Sequence, residues 1–438
     1  MRCWLVSVGE ALPSDYRGVR LRRTGILSRL LADRGHTVVW WTSSFDHFQK
    51  RLRFSSDSTL KIDSRLTIRC LHGGGYKKNV SLARLYDHFL LGRKLHAQAP
   101  HEERPDIVLA SLPTIELAYA ACRFGRNAGV PVALDIRDLW PDSFLDVLPR
   151  MARSAAHLLL SPYAALTRSA CRQVTAILGP TEDYVRWGLK CGGRQKSQLD
   201  KVFPFGYSAN PPADREIEDA KAFWESRGIS AGRDEFIVCF LGTLGRAFDL
   251  ETVFEAAGIL AGRNPRIKFV ICGKGDREAF YRAAAVQYPN VIVPGLVNGP
   301  QMWTLMRMAS IGLAPYMPFE NFLRNIPNKP IEYLSAGLPT AYCIDGALDT
   351  LLSEGDCGVK YKHGAAHDLA SQLSALEGTP ERLHSLSGNA AALFRARFQA
   401  EEVYGRLIDH LELIARTPIG ATASAAPEAV ELTRRDAR

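Results

Sequence analysis

A lysine, a glutamate and a tyrosine recur at helical spacing in one short segment of the chain. Lys329, Glu332 and Tyr333 are three and four residues apart, so a helix places a cation, a hydrogen-bonding carboxylate and an aromatic ring on one face. Asn328 is a favourable N-cap, which predicts a helix from about Lys329 to Ala336. Such a face suits the phosphates and ribose of a nucleotide, although a solvated surface helix often carries the same residue types.

Apolar runs at 311–315 and 340–344 flank this segment and predict two parallel strands that the helix connects. In a parallel sheet, the free N–H groups at the start of such a helix lie at the edge where anions bind. The segment therefore predicts an anion-binding site at a sheet edge.

Glycine-rich turns follow two further predicted strands. The strand 236–241 runs into the turn 242–246, which ends in Arg246, and the strand 268–272 runs into a turn that contains Gly273. Glycine lets a backbone approach a diphosphate closely, and a planar guanidinium can neutralise it. The second turn lacks the third glycine of a dinucleotide fingerprint, and no acidic residue ends a strand about twenty positions on, which argues against NAD.

Strand-helix-strand units recur in the first half. Apolar runs at 36–42, 107–110 and 131–136 alternate with helical periodicity, which predicts a parallel sheet covered by helices on both faces. Loops that bind ligands are then expected at the carboxyl ends of the strands.

Three of these loops carry polar side chains that suit a second substrate. Tyr16, Arg17 and Arg20 can hold a phosphate or a sugar. His47 can orient a hydroxyl group or exchange a proton with it, and Asp138 can bind a sugar through hydrogen bonds. Solvated arginines, a lone structural histidine and an Arg-Asp pair beside a packed tryptophan are the alternatives at the same positions.

The segment Pro327 to Leu334, together with Ala336 to Pro339, resembles the donor-site signature of glycosyltransferase family 4. The segments Arg137 to Pro141 and Ser44 to His47 are similar to those of bacterial members that build surface polysaccharides such as O-antigen, capsule and exopolysaccharide. Both glycine-rich turns and the segment Val293 to Val297 resemble the donor domain of the family, where the last segment lies beside the nucleotide base.

This resemblance implies the GT-B fold, in which two doubly wound Rossmann-like α/β domains face a cleft and a C-terminal helix crosses back to the N-terminal domain. The N-terminal domain would bind the acceptor, and the C-terminal domain would bind a nucleotide-sugar donor. The implied donor-binding residues are Gly242, Thr243, Gly245, Arg246, Gly273, Gly295, Leu296, Asn328, Lys329, Glu332 and Tyr333. The acceptor-binding residues are Tyr16, Arg17, Arg20, His47, Arg137 and Asp138.

The implied activity is transfer of a hexosyl or N-acetylhexosaminyl group from a UDP- or GDP-sugar to a hydroxyl of a glycan or lipid-linked acceptor. The family usually retains the anomeric configuration, and neither a metal nor another cofactor is expected. Glu332 would hold the ribose. The positions expected to take part in catalysis are Arg246, Lys329, His47 and Asp138.

The chain also departs from the pattern of the family. Members commonly carry two glutamates separated by seven residues, and Glu332 fits the second, whereas the first position is Arg324. Many have a lysine soon after the first glycine-rich turn, where this chain has Phe248 and Asp249. Two alternatives therefore stay open: a sugar-nucleotide epimerase or hydrolase on the same fold, and a membrane-associated scaffold without chemistry.

The composition bounds the partners and the compartment. A net charge of +9 favours anionic partners, and no RNA-binding, helix-turn-helix or zinc pattern points to nucleic acid. Nine cysteines without metal-ligand spacing indicate a reducing compartment, and no apolar run approaches the roughly 18 residues of a membrane span. We expect a cytoplasmic protein, and the basic, apolar segment Arg150 to Arg172 adds an anionic membrane surface as a candidate partner.

The length of 438 residues favours two domains and a tail. We expect an N-terminal domain over 1–205, a C-terminal domain over 206–392, a crossing helix over 393–416 and a disordered tail over 417–438.

Overall fold

The structure is a computed structural model that describes residues 1–16, 19–79, 81–146, 150–230 and 235–418. The strands of its first half are β1 (Arg2–Val6), β2 (Thr37–Ser43), β3 (Phe45–Asp46), β4 (Arg51–Leu52), β5 (Ser58–Lys61), β6 (Leu66–Leu71), β7 (Ile107–Leu112), β8 (Val132–Ile136), β9 (Ala176–Gly179) and β10 (Lys201–Val202). Eight of them form one sheet in the order β10-β9-β8-β7-β1-β2-β6-β5. The pairs within this sheet are parallel except β5 with β6, and β3 and β4 form a separate antiparallel pair.

Helices cover both faces of this sheet. They are α1 (Arg23–Asp33), α2 (Leu82–Gln98), α3 (Ile115–Ala128), α4 (Ser143–Asp146), α5 (Arg150–Gln173) and α6 (Glu182–Gly192), with a short 3₁₀ turn at Ala99–His101. The central strands β1, β2, β7, β8 and β9 are almost continuously apolar and buried, as expected for a parallel sheet that is covered on both sides.

The second half forms a six-stranded sheet in which all pairs are parallel. It begins after the helix α7 (Asp214–Glu225), and its strands are β11 (Phe236–Leu241), β12 (Ile267–Cys272), β13 (Val291–Gly295), β14 (Ile311–Ala314), β15 (Thr340–Tyr342) and β16 (Gly358–Lys360). Its helices are α8 (Leu250–Ala261), α9 (Glu278–Ala285), α10 (Gly299–Met308), α11 (Glu320–Leu323), α12 (Asn328–Ser335), α13 (Ala347–Glu354), α14 (Ala366–Glu377) and α15 (Pro380–Arg397). The strand order is β13-β12-β11-β14-β15-β16.

Each sheet changes its winding direction at one point. In the first sheet the change falls between β1 and β7, and in the second between β11 and β14. Ligands of doubly wound sheets bind in the crevice outside the carboxyl ends of the strands at such a point. The loops after β1 and β11 are therefore the places where the topology itself predicts a site.

The final helix, α16 (Ala400–Arg416), returns to the first domain. Its apolar face packs with α1 on the first sheet and includes Tyr404, Leu407 and Leu411, all of which are fully buried. Just before it, the backbone pairs with the interdomain connection, where Tyr207 N–H donates to Phe398 O at 2.9 Å. The fold-class prediction of two doubly wound domains with a returning helix is confirmed.

A buried ion pair fixes the start of α1 against the middle of the first sheet. Arg23 Nε and Nη2 donate to the two carboxylate oxygens of Asp135 at 2.8 and 3.0 Å, and Arg23 Nη1 donates to Pro204 O at 2.8 Å. Arg137 Nε donates to Asp135 Oδ2 at 2.7 Å. Burial alone would raise the pKa of Asp135, but the two guanidinium groups outweigh it and hold that pKa below its ordinary value.

Two sequence predictions concern the C-terminal tail and membrane-spanning segments. The predicted tail over 417–438 lies outside the described residues beyond Pro418. Among the helices that the structure describes, none is long and apolar enough to cross a membrane.

Candidate functional site

A cavity of about 800 Å³ lies between the two domains. Its wall on the first domain is formed by the loop after β1 and the start of α1, and its wall on the second is formed by the first turns of α10 and α12. The lining includes Arg20, Arg29, Tyr207, Met302, Asn328 and Glu332. The cavity thus lies at the winding change of the first sheet, against the helix that follows β14.

Glu332 of α12 faces this cavity and meets an arginine from the opposite domain. Arg20 Nη2 forms a short ion pair with Glu332 Oε1, and the side chain of Glu332 is only 9% exposed. The Arg20 guanidinium also lies 5.0 Å from the centre of the Tyr207 ring, and its Nη1 is 3.5 Å from Met302 Sδ. Arg20 was predicted for the acceptor side, and the structure places its charged end against the donor-side carboxylate.

Lys329 lies one turn from Glu332, against aromatic rings. Its Nζ is 4.4 Å from the centre of the Phe248 ring, and burial lowers its pKa to about 8 while Glu332 opposes this shift. A Cβ at Gly242 would come within 2.2 Å of Lys329 Cε. The first glycine-rich turn and the α12 lysine are thus in direct contact, as a shared diphosphate site requires.

The two glycine-rich turns pack backbone against backbone. Gly242 N–H donates to Cys272 O at 2.9 Å, and Leu244 N–H donates to Lys274 O at 3.1 Å. Gly273 has φ +151°, and a Cβ there would lie 1.6 Å from Gly242 O. Glycine is therefore required at 273 by the contact between the turns.

We expect Gly273→Ala to lower the free energy of unfolding by about 2–3 kcal/mol, because the new Cβ forces one of the two turns to move. Urea unfolding of the full chain measures this. Gly262→Ala is the matched control, because φ is −89° there and no atom lies within 4 Å of the added Cβ, and its effect should stay within about 0.5 kcal/mol. Equal losses in the two variants would contradict this account of the turns.

Three further residues predicted to bind the donor lie on the first glycine-rich turn. Thr243 and Arg246 are exposed on the first turn, and Arg246 forms no hydrogen bond or ion pair within the described part of the chain. Gly245 is buried, with its Cβ position 3.0 Å from Asp276 Oδ1.

The end of β13 lies apart from the cavity lining. Gly295 has φ +91°, and its Cβ position is 2.3 Å from Arg282 Nη2. Leu296 is 74% exposed. The cavity is instead bordered in this region by Gly299, Pro300 and Met302 of α10.

The structure corrects two details of α12. The helix begins at Asn328 itself, with Pro327 at the N-cap position and no side-chain cap, so Asn328 lies exposed in the first turn and borders the cavity. Tyr333 is fully buried, and its hydroxyl donates to Leu313 O at 3.1 Å and accepts from Leu241 N–H at 3.2 Å. Because its ring and hydroxyl are both used in the core, the prediction that Tyr333 binds the donor is wrong.

Arg137 borders the cavity, but its guanidinium is committed within the first domain. Besides its bond to Asp135, Nη1 donates to Glu10 Oε1 at 2.6 Å and to Thr24 Oγ1 at 2.9 Å. Nε and Nη1 therefore hold the first domain together, and the predicted acceptor role of Arg137 stays a prediction. Arg137 fixes the loop after β1 to β8.

Five residues form an acceptor-side cluster: His47, Tyr76, Arg84, Asp138 and Trp140. His47 Nδ1 is 2.6 Å from the Tyr76 hydroxyl oxygen. The Arg84 guanidinium lies 5.4 Å from the Tyr76 ring centre and 4.6 Å from that of Trp140. Asp138 accepts from Trp140 Nε1 at 3.1 Å. The structure thus brings together His47 and Asp138, which the sequence places ninety residues apart.

Burial shapes the charges of this cluster. It lowers the pKa of His47 to about 4, helped by Lys50 and Arg84, so the imidazole is neutral at pH 7. It raises the pKa of Asp138 to about 6 and that of Glu116, beneath the cluster, to about 7. A carboxylate that titrates near neutrality is suited to accept a proton, whereas an imidazole with a pKa of about 4 is suited to orient a hydroxyl group through a hydrogen bond.

The two remaining acceptor-side predictions are Tyr16 and Arg17. Tyr16 is 55% exposed and does not border the cavity, and Arg17 lies outside the described residues.

The domains also touch beside α11. Thr181 Oγ1 donates to Arg324 O at 2.7 Å, and the Tyr184 hydroxyl donates to the Asn321 side chain. Arg324 pairs with Glu320 at 2.7 Å. The position at which the family pattern expects a glutamate thus carries a cation at the domain boundary. No group of three or more residues suited to holding a metal occurs within the described ranges.

Sequence reasoning missed Tyr207 and Met302, which enclose the Arg20 guanidinium. Tyr207 lies in the proline-rich connection between the domains, and Met302 lies on the buried face of α10. Neither position carries a spacing signal, because both reach the cleft only through the packing of one domain on the other.

Comparisons with known proteins place this geometry in a class. Residues 235–377 match the family model described as Glycosyl transferases group 1. No curated protein matches the chain by sequence.

Solved structures match almost the whole chain. Sucrose-phosphate synthase from Thermosynechococcus elongatus has a TM-score of 0.70 at 15% identity, covering 95% of this chain and 100% of that one. HepE from Anabaena in complex with UDP and glucose has a TM-score of 0.66 at 14% identity, covering 94% and 100%. WaaG, a glycosyltransferase involved in lipopolysaccharide biosynthesis, has a TM-score of 0.63 at 13% identity, covering 95% and 100%. The chain therefore has the GT-B fold, and its second domain carries the sequence pattern of group 1 glycosyltransferases.

Proposed function

We propose that this protein is a glycosyltransferase that moves a hexosyl or N-acetylhexosaminyl group from a UDP- or GDP-sugar to a hydroxyl group. The observation that carries the proposal is the placement of α12, which lies inside the segment that matches group 1 glycosyltransferases. It presents Glu332 to the interdomain cavity and packs Lys329 against the Gly242 turn. The complex of HepE with UDP and glucose supports a uridine nucleotide as the first donor to test.

The donor side supplies positive charge without a metal. Lys329, the exposed Arg246 and the N–H groups at the start of α12 would bind the diphosphate, and Glu332 would accept hydrogen bonds from the ribose hydroxyls. As the bond from the anomeric carbon to the diphosphate breaks, the same cations stabilise the charge of the leaving nucleotide.

The acceptor side supplies groups that can take up a proton. The acceptor hydroxyl oxygen bonds to the anomeric carbon, the nucleoside diphosphate leaves with the electron pair, and the hydroxyl proton passes to a base. Asp138, with a pKa of about 6, is mostly ionised at neutral pH, and His47 is neutral there. Asp138 is the candidate base for that step, His47 is the candidate for orienting the acceptor hydroxyl, and retention at the anomeric carbon is the expected outcome.

Product analysis tests this function. The purified protein is incubated with UDP- and GDP-sugars, with and without a lipid extract of a bacterial cell envelope, and the products are separated by mass spectrometry. A glycosylated product and free nucleoside diphosphate that appear together only with the extract support transfer. A converted or hydrolysed donor without the extract would indicate an epimerase or hydrolase, and no turnover at all would favour a scaffold.

We further propose that the acceptor is lipid-linked, belongs to surface-polysaccharide synthesis and is met at an anionic membrane surface. Two features support this. Helix α5 exposes Met151, Leu158 and Leu159 at 97%, 76% and 78%, which is unusual for large apolar side chains. A second cavity, of about 580 Å³, contains the cations Arg168, Arg186, Lys190 and Arg324 in its lining.

We expect the protein to float with vesicles that contain anionic lipid at low salt, and Leu158→Gln/Leu159→Gln to lower its partition coefficient by about tenfold or more, since both side chains lose apolar contact with the bilayer. Val286→Gln/Leu296→Gln is the control, because these second-domain side chains are equally exposed, at 87% and 74%. Flotation that is absent in the wild type, or reduced equally in both pairs, would contradict the membrane proposal.

A further inference from the structure

The carboxylate proposed to hold the donor ribose already has a partner in the other domain. Arg20 reaches Glu332 from the first domain, and its guanidinium lies between the Tyr207 ring and Met302 Sδ. Arg20 is itself about one-third exposed, whereas Glu332 is almost covered. The open side of the Glu332 carboxylate is therefore the side that Arg20 occupies.

We infer that Arg20 is a donor-binding residue that exchanges Glu332 for the donor diphosphate when the nucleotide binds. The inference rests on the proposed donor site. Arg20 Nη2 donates to Glu332 Oε1, so a ribose diol that uses both carboxylate oxygens competes with Arg20 for that oxygen. The nucleotide can bind Glu332 fully only if Arg20 leaves it.

The diphosphate gives the released guanidinium a second partner. Arg20 lies near enough to Lys329 for its charge to disfavour the protonated lysine, so both cations belong to one region of positive potential. A diphosphate beside Lys329 attracts Arg20, because guanidinium and phosphate form strong bidentate hydrogen bonds. Ligands that carry both ribose and diphosphate thus recover the lost ion pair, and ligands with ribose alone do not.

This exchange makes Arg20 a determinant of specificity. In the wild type, a nucleoside must displace Arg20 without compensation, whereas a nucleoside diphosphate is compensated. Removal of Arg20 should therefore help the nucleoside and harm the diphosphate. An arginine that only holds the two domains together would change both affinities in the same direction.

The test compares the binding of uridine with that of UDP, and of guanosine with GDP, in the wild type and Arg20→Gln by titration calorimetry and ligand-observed NMR. We expect the Kd of the nucleoside to fall about two- to fivefold and that of the diphosphate to rise about three- to tenfold. The ratio of the nucleoside Kd to the diphosphate Kd should therefore fall by about tenfold or more. Arg20→Lys should restore part of the diphosphate affinity. In the transfer assay, kcat should fall more than the donor KM changes, because the leaving charge loses a partner.

Arg29→Gln is the control, since Arg29 also borders the cavity but forms no hydrogen bond or ion pair within the described residues. In Arg29→Gln, the ratio of the nucleoside Kd to the diphosphate Kd should equal that of the wild type. Equal changes in both constants of Arg20→Gln, or no change in either, would overturn the inference while the donor site stands. Failure of the wild type to bind any of the four ligands would overturn the proposed donor site and this inference with it.

Discussion

Replacing Lys329 with alanine is expected to lower kcat for sugar transfer by about 10²–10³-fold, the loss typical of removing one group that stabilises developing charge in a buried site. Lys329 packs on the Phe248 ring and against the Gly242 turn, so water cannot easily replace its charge. The initial rate at saturating donor measures the effect. Lys360→Ala is the control, because Lys360 forms surface ion pairs with Asp345 and Asp349 far along the same sheet.

The same side chain predicts a pH dependence. Burial lowers the pKa of Lys329 to about 8, so the ammonium is present below that pH and is lost as the pH rises through it. The value of kcat/KM for the donor, which reports the free enzyme, should fall across that range in the wild type and stay flat in Lys329→Arg, whose guanidinium does not titrate there. A Lys329→Ala variant that keeps more than half of the wild-type rate would contradict the role given to this lysine.

Asp135→Asn is expected to lower the free energy of unfolding by about 3–5 kcal/mol, because it leaves the buried Arg23 guanidinium without its counter-charge. Asp135 is fully buried and accepts hydrogen bonds from both Arg23 and Arg137. The change should also loosen the first wall of the cleft, since these arginines fix the start of α1 and the loop after β1. Urea unfolding measures the stability. The effect on the cleft is measured by comparing the nucleotide affinity of the variant with that of the wild type.

Asp409→Asn provides the matched control for this buried pair. Asp409 accepts a hydrogen bond from Arg34 at 2.6 Å, but both side chains are largely exposed, and exposed ion pairs contribute less than about 1 kcal/mol. Similar losses in Asp135→Asn and Asp409→Asn would show that the network around Arg23 is not what holds α1 in place.

The alternation of strands and helices could be predicted from the sequence because it depends on local periodicity. The parallel strands that follow buried apolar runs, such as β7, β8 and β11, are where the pattern indicates them. The antiparallel strand β5 and the short pair β3 and β4 were not predicted, because β4 and β5 are exposed or half-exposed like a loop and the buried β3 is only two residues long.

Within the site, the sequence located α12 but not the direction of each side chain. The three- and four-residue spacing grouped Tyr333 with Lys329 and Glu332. Tyr333, however, lies on the side of the helix that packs on β11 and β14, and its hydroxyl bonds to both strands. Residues that spacing assigns to one face of a helix therefore do not all reach the cleft.

The other differences between the predicted and the observed site come from residue pairs that are distant in the sequence. Arg20 and Glu332 are separated by 312 residues, and Arg137 finds Glu10 on the opposite side of the winding change. No periodicity encodes such pairs. The Arg20–Glu332 pair forms only when the two sheets bring their carboxyl edges together, and the Arg137–Glu10 pair forms only when the strands of the first sheet are assembled side by side.

The structure shows what surrounds the two positions at which the chain departs from the family pattern. Phe248, at the position where many members carry a lysine, places its ring against Lys329 Nζ, and Arg324 lies at the domain boundary with Glu320 as its partner. Arg20, from the opposite domain, is the cation that contacts Glu332 in the cleft.

The most direct test of a donor site at α12 is thermal unfolding of the wild type and Glu332→Ala with UDP, GDP, dTDP and NAD in turn. A ligand at about 100 times its Kd stabilises the folded protein by roughly 2.7 kcal/mol. We predict that one nucleoside diphosphate raises the Tm of the wild type and raises that of Glu332→Ala much less, whereas NAD raises neither. If no nucleoside diphosphate raises the Tm, or if both proteins respond equally, the assignment of α12 as the nucleotide-binding helix is wrong.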